Sequence, residues 1–298
     1  MNAQAQREKF RVTREGFIRV PGGDVYYRSV GEGGVPLLCL HGGPGFTSHY
    51  LEALEDLADR REVIFYDQLG CGRSQRPGDV TLWTVERFVE ELVTIREALG
   101  LTRMHLLGSS WGGMLAMQYV LDRQPQLESL ILAGSPASMP RWSAECARLL
   151  SRQPVDSQET IKRHEANGTT NCPEYAAAIL GFYREHVCRL RPWPDGLERS
   201  FAQAGLDVYH HMNGPSEFTV TGTLANWDIT ERLADIDVPT LLIGGEHDEC
   251  RPEHLGDMHK RIRGSKLEII PDASHLCFAE KREHFIAVAN DFLASVEI

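Results

Sequence analysis

The chain has 298 residues, of which 42% are hydrophobic, so it is long enough to bury a full core in one domain that carries an insertion. Its formal net charge of −11 at pH 7 would repel a phosphate backbone or an anionic membrane surface. No apolar run approaches the roughly 18 residues of a membrane helix, and the N-terminus lacks the apolar segment of a secretory signal. These features predict a cytoplasmic protein without a nucleic-acid or membrane partner.

The first half of the chain alternates short apolar runs with helical patterns, which predicts a mostly parallel sheet flanked by helices. The predicted strands are an antiparallel pair at 16–20 and 24–30, then 37–40, 63–66, 104–107 and 130–132. The predicted helices of this part are 50–58, 85–99 and a helix directly after residue 110. The fold class is therefore α/β.

The alternation stops after residue 136. From 137 to 232 the pattern is helical and interrupted by Gly and Pro, and buried strands are predicted again only at 239–245 and 266–270. We therefore predict three parts: a first core part at 1–136, an inserted helical cap at 137–232 and a second core part at 233–298. Ligands of open α/β sheets bind at the carboxyl ends of the strands, so the cap is expected to cover that edge.

A candidate nucleophile lies in the motif Gly108-Ser109-Ser110-Trp111-Gly112. The motif stands between an apolar strand pattern and a helical pattern, which is the context that a nucleophile elbow requires. There the flanking glycines allow a strained backbone, and the hydroxyl projects from the edge of the sheet. Ser110 is thus the predicted nucleophile.

A nucleophilic serine needs a base and an acid, which follow it in this order: serine, acid, histidine. Asp248 follows the predicted strand 239–245, and His275 follows the strand 266–270, so we assign them as acid and base. The remaining histidines, and seven cysteines without a C-x-x-C, form no metal-ligand pattern. We expect reduced thiols and no metal or other cofactor.

The oxyanion hole requires two backbone N–H groups, one from the residue after the nucleophile and one from a loop after an early strand. Trp111 supplies the first. For the second, the loop His41-Gly42-Gly43-Pro44-Gly45 offers Gly43, with Gly42 as the nearest alternative.

These residues resemble the proline iminopeptidases of the α/β-hydrolase fold, most closely the tricorn-interacting-factor type of aminopeptidase. The matching motifs extend over nearly the whole chain after its first ten or so residues, and they lie at 41–45, 66–74, 108–113, 212–218, 221–222, 227–228, 245–248 and 274–275. The resemblance implies an α/β-hydrolase with a helical cap that removes one N-terminal residue from a short peptide. Leu69 stands where many relatives carry Arg, which removes a possible ion pair below the site.

The resemblance also implies that glutamates grip the free amine of the substrate, and the matching positions are Glu217 and Glu246. Carboxylates in a partly desolvated pocket bind an ammonium strongly. The alternative is structural: Glu217 could brace a loop, and Glu246 could support the site from behind.

Three functions remain open on the sequence alone. The first is an aminopeptidase, or an amino-acid amidase, that acts on a small peptide or aminoacyl amide through an acyl-enzyme. The second is an esterase or lactonase on the same scaffold, because a fold does not fix the substrate. The third is a binding protein without turnover, which the complete set of catalytic candidates disfavours. The preferred first residue and the oligomeric state are not determined.

Overall fold

One eight-stranded sheet runs through the structure, a computed structural model that describes residues 11–297. Its order is β1-β2-β4-β3-β5-β6-β7-β8. The pairs β1–β2 and β2–β4 are antiparallel and the other five pairs are parallel, which confirms the predicted sheet. The strands are β1 Val12–Val20, β2 Gly23–Val30, β3 Leu37–Leu40, β4 Val63–Tyr66, β5 His105–Ser109, β6 Ser129–Ala133, β7 Thr240–Gly245 and β8 Lys266–Ile270.

Helices cover the sheet and fill the long connection between β6 and β7. The α-helices are Val85–Ala98, Trp111–Arg123, Met139–Leu150, Val155–Asn167, Pro173–Phe182, Asp195–Ala202, Leu206–Met212, Pro252–Arg261, Cys277–Glu280 and Arg282–Val296. Three segments are 3-10 helices, Ser48–Asp59, Val80–Leu82 and Thr230–Asp235, and Tyr183–Val187 is a π-helical turn. The helix predicted near 50–58 is thus present, but in the tighter 3-10 form.

The core lies on both faces of the sheet. Successive side chains of a strand point to opposite faces, so along β3 Leu38 packs into one hydrophobic cluster and Cys39 into the other. Strands buried on both faces read as continuous apolar runs, which is why the sequence signal for β3, β5 and β6 is strong.

The segment between β6 and β7 is helical, as its pattern predicts, and in this described part of the chain β-structure is limited to the isolated bridges Ser138–Asp228 and Ser216–Thr219. It packs on the loop after β3: the Thr47 N–H donates to the Ser200 hydroxyl (3.0 Å). These helices therefore stand over the carboxyl ends of the central strands. The three-part division of the chain stays a prediction.

Candidate active site

Ser110 occupies the sharp turn between β5 and the helix Trp111–Arg123. Its φ of 57° and ψ of −125° are unusual for a residue with a side chain. Neighbouring glycines make the turn possible, because a Cβ on Gly112 would lie 2.2 Å from the Leu40 carbonyl oxygen and one on Gly108 would lie 2.3 Å from the Gly112 oxygen. The Ser110 N–H donates to the Ala133 oxygen of β6 (2.9 Å). Strain and close packing thus hold the hydroxyl at the sheet edge.

Asp248 and His275 follow the neighbouring strands β7 and β8, and their side chains meet. His275 Nδ1 donates to Asp248 Oδ1 over 2.8 Å, and both residues are buried. The Cys250 N–H donates to the same oxygen (2.7 Å), whereas Oδ2 has no partner among the described residues. With Nδ1 donating, the neutral imidazole presents Nε2 as an acceptor, which is the tautomer that a general base needs.

The electrostatic environment favours a protonated His275. Burial alone would lower the pKa of this imidazole, but the charge and hydrogen bond of Asp248, together with the charge of Glu217, raise its pKa above the ordinary value. A histidine that accepts a proton readily suits the transfer from a serine hydroxyl.

The backbone donors proposed for an oxyanion differ in their availability. The Gly42 N–H donates to the Tyr50 hydroxyl (2.5 Å), so it is occupied. The N–H groups of Gly43 and Trp111 donate to no other residue between 11 and 297, and Gly43, at φ 117°, lines the cavity beside Ser110. Of the two glycines that the sequence offered, Gly43 thus has the available N–H group, and its role as an oxyanion donor stays a prediction.

Gln68 joins the two loops that carry these donors. Its Oε1 accepts from Trp111 Nε1 (2.9 Å), and its Nε2 donates to the His41 carbonyl oxygen (2.9 Å). Gln68 was not among the residues predicted for the site. Its position in the sequence could have identified it, because Gln68 lies in the motif Tyr66–Ser74 just after β4, at the same sheet edge as the elbow.

A narrow cavity of about 40 Å³ lies between the sheet edge and the inserted helices. Its walls are mainly apolar and aromatic, and its charged groups are two glutamates and the histidine. The lining residues are Gly42, Gly43, Phe46, Tyr50, Ser110, Tyr183, Val187, Leu197, Phe201, Glu217, Glu249, His275 and Leu276.

Glu217 reaches this cavity from the insertion. The Tyr209 hydroxyl donates to its Oε1 (2.8 Å), and Trp142 Nε1 donates to its backbone oxygen (2.7 Å). Burial raises the pKa of the Glu217 carboxyl, while the Tyr209 hydrogen bond and His275 oppose that rise. Glu217 is thus held in the cavity wall by its backbone oxygen and by one carboxylate oxygen.

Glu246 is not brought to the cavity. It is exposed, and its Oε2 accepts the Asp272 N–H (3.0 Å), so it braces the loop before His275. Glu249, three residues later, lines the cavity instead. It is fully buried, and neither carboxylate oxygen has a partner among the described residues. Burial, with the charges of Glu217 and Asp248, raises the pKa of Glu249 well above the ordinary value.

Other kinds of site are not found in the part of the chain that the structure covers. Among residues 11–297, no three His, Cys, Asp or Glu side chains are grouped to hold a metal ion. No helix in this range is long and apolar enough to cross a membrane. The seven cysteines are free thiols, and six of them are buried.

Known proteins of similar sequence and structure carry one recurrent name. Residues 35–282 match the family described as the alpha/beta hydrolase fold. A "Proline iminopeptidase" of Heyndrickxia coagulans is 44% identical over 95% of this chain and 99% of its own length, and one of Saccharolobus solfataricus is 39% identical over 95% and 93%. The crystal structure of the Mycobacterium smegmatis proline iminopeptidase has a TM-score of 0.87 at 39% identity, covering 95% of this chain and 98% of its own. That of VinJ has a TM-score of 0.92 at 38% identity, covering 96% and 100%.

Proposed function

The chain belongs to the proline iminopeptidase family of α/β-hydrolases and is a serine aminopeptidase, and from this premise we propose which residues of the cavity perform the reaction. One observation carries the proposal. Ser110, His275 and the carboxylates of Glu217 and Glu249 line one narrow cavity, and His275 is hydrogen-bonded to Asp248 behind it. Among the described residues, no Lys or Arg lines this cavity. This set combines the groups for acyl transfer with a receptor for an ammonium.

Acyl transfer begins with attack of Ser110 Oγ on the scissile carbonyl carbon, while His275 Nε2 accepts the hydroxyl proton. The oxyanion then accepts hydrogen bonds from the Gly43 and Trp111 N–H groups. His275 returns the proton to the leaving nitrogen as the C–N bond breaks, and the N-terminal residue remains as an ester on Ser110. Water, deprotonated by His275, hydrolyses this acyl-enzyme. Asp248 orients the imidazole and stabilises its cationic form throughout.

The substrate amine binds to Glu217 and Glu249 in this proposal. An N-terminal ammonium lies next to the scissile carbonyl, so its receptor must lie next to Ser110, and both glutamates line the same cavity as that serine. Glu249 replaces Glu246, whose side chain is outside the cavity. A cation between the buried Glu249 and the half-buried Glu217 relieves the mutual repulsion of the two carboxylates, and this supports selection of free-amine substrates.

An amidase activity is the second candidate, because a second cavity also borders Ser110. Its walls combine apolar side chains with the polar Asn213 and Glu217, and no Lys or Arg between residues 11 and 297 lines it; the apolar walls are Met114, Met139, Trp142 and Leu224. An uncharged amine leaving group therefore fits there as well as a short peptide does.

A substrate panel tests this function. We expect turnover of aminoacyl arylamides with a free amine, prolyl arylamide among them, and of amino-acid amides, but a loss of at least about tenfold when the amine is acetylated. Ser110→Ala is the matched control and should lose several orders of magnitude in rate. Equal rates on free and acetylated amines would contradict the amine site and favour an esterase.

We further infer that the protein acts in the cytoplasm on short peptides or aminoacyl amides and has no nucleic-acid partner. Its free thiols fit a reducing compartment, and its net charge of −11 opposes binding to a phosphate backbone. The inserted part 137–232 acts as a cap in this proposal, because it provides Glu217 and part of the apolar wall.

A further inference from the structure

The π-helical turn Tyr183–Val187 contacts both loops that carry the acid and the base. His186 Nδ1 donates to the backbone oxygen of His247, the residue before Asp248, over 2.8 Å. The backbone oxygen of His186 accepts the N–H of His275 over 3.0 Å. One buried residue of the insertion therefore binds the acid loop with its side chain and the base with its main chain.

We propose that His186 is a positioning residue that sets the relative placement of Asp248 and His275. The proposal rests on the roles assigned to those two residues above. The parallel pairing of β7 and β8 ends at Gly245 and Ile270, and the loops that follow are joined near their starts, where the His247 N–H donates to the Ala273 oxygen (2.8 Å). These contacts come before Asp248 and His275 in each loop. His186 adds a contact from outside the two loops that reaches His247 and His275 together, and π-helical turns of this kind are frequent at functional sites.

Neighbouring contacts show that the turn is firmly attached to the base loop. The Val187 oxygen accepts the Leu276 N–H (3.0 Å), and Glu280 accepts both the Arg189 N–H (2.5 Å) and the Ser274 N–H (2.6 Å). The turn and the residue that follows it are thus tied to the base loop at three points, and His186 extends this connection to the acid loop.

The ring of His186 is also held in place and kept uncharged. Phe182 packs against it with ring centroids 4.9 Å apart, and Phe182 packs equally closely on Phe218, the residue after Glu217. Burial lowers the pKa of His186, so at neutral pH the ring carries one N–H, and the carbonyl of His247 requires it on Nδ1. Its effect on the site is therefore positional.

Three substitutions test the proposal with aminoacyl arylamides as substrates. His186→Ala removes the donor, and we expect kcat to fall on the order of tenfold to a hundredfold, as for other residues that orient catalytic groups, while KM changes by less than about threefold. His186→Asn keeps an N–H near the Nδ1 position, so kcat should recover to within about threefold of wild type. His186→Gln moves the amide to the Nε2 position and should stay impaired. The Asn and Gln variants alone carry the comparison if the alanine variant does not fold.

Two controls distinguish a failure of the His186 proposal from a loss of stability and from a failure of the proposed function. Ile161→Ala creates a cavity in another helix of the insertion, Val155–Asn167, and lowers the unfolding temperature without contact to either loop, so kcat should stay within about twofold. His275→Ala tests the assigned base: activity in that variant would overturn the proposed function. The role of His186 alone would be overturned by either of two results, provided that His275→Ala is inactive. One is full kcat in a folded His186→Ala variant, and the other is equal kcat in the His186→Asn and His186→Gln variants.

Discussion

Replacement of Glu249 by Gln is the sharpest test of how the substrate amine is bound. Gln keeps the size and shape of the side chain but removes its negative charge. Glu249 is fully buried and neither of its oxygens has a hydrogen-bond partner within residues 11–297, so an ammonium would be the first ion to pair with it. Glu246, which is exposed and lies outside the cavity, offers a matched control three residues away.

The magnitude follows from the surroundings of each carboxylate. A hydrogen bond to a charged group is worth about 1.5–3 kcal/mol, which corresponds to roughly ten- to 150-fold in kcat/KM. The buried and unpartnered Glu249 should reach the upper part of this range. Glu217 is half-buried and already accepts the Tyr209 hydroxyl, so Glu217→Gln should reach the lower part. Glu246→Gln should change the rate by less than about twofold, because exposed charges are screened.

The assay compares a prolyl arylamide, its N-acetyl derivative and a simple aryl ester in the same variants. The loss in Glu249→Gln should occur with the free amine and be nearly absent with the other two substrates. Equal losses on all three substrates would refute the reasoning, and so would a Glu246→Gln variant as impaired as Glu249→Gln.

Thermal unfolding supplies an independent check on the same variant. The pKa of Glu249 is raised in the folded protein. Above the ordinary glutamate pKa of about 4.3, Glu249 is therefore ionised in the unfolded chain while it is still protonated in the folded protein. Folding stability therefore falls as the pH rises through that window, and Gln removes the effect. We expect the unfolding temperature of Glu249→Gln to exceed that of wild type at pH 8 by more than at pH 5.

Three further predictions concern the acid, the base and the absence of a metal requirement. His275 must be neutral to act, and Asp248 raises its pKa, so kcat/KM should rise with pH through a value above about 6.5. In a pH–rate profile, Asp248→Asn should move this rising limb to lower pH. A limb that does not move would contradict the assignment. A Cβ on Gly134 would lie 2.8 Å from Asp248 Oδ2 and 2.9 Å from His275 Nδ1, so Gly134→Ala should lower kcat on the order of a hundredfold. Gly100 has a similar positive φ but open space around it, so the control Gly100→Ala should lower the stability and keep kcat. Exhaustive chelation should leave the rate unchanged, and a loss reversed by added zinc would disprove this.

The sequence predicts the central sheet well because its strands have clear hydrophobic patterns. β3, β5 and β6 are buried on both faces, and each is followed by a loop with small or polar residues, so both the strand and the position of its carboxyl end are readable. Ser110 comes directly after β5, and Asp248 and His275 lie in the loops that follow β7 and β8. Their convergence follows from the parallel sheet, and the structure brings Asp248 and His275 within hydrogen-bond distance.

Loop residues are harder to predict because the direction of a side chain in a loop has no period. Glu246 and Glu249 lie in the same acidic string, and only the fold of that loop decides that one faces solvent and the other the cavity. Gly134 and His186 were missed for a related reason. Their importance depends on contacts with Asp248, His247 and His275, which are distant in sequence.

The electrostatics of the cavity link binding to catalysis. Three carboxyl groups, Asp248, Glu249 and Glu217, lie near one histidine, and among the described residues no Lys or Arg lines the cavity. Burial raises the pKa of both glutamates, and the charges of Glu217 and Asp248 raise that of Glu249 further, so both carboxyls resist ionisation in the free enzyme. A substrate ammonium supplies the missing cation and lets both carboxyls ionise, so its binding should release protons. The same negative charges stabilise the imidazolium that forms on His275 during attack. A substrate without an amine would leave the carboxyls protonated and forgo that stabilisation, so under the proposed amine site we expect selection of the N-terminus at the chemical step as well as in binding.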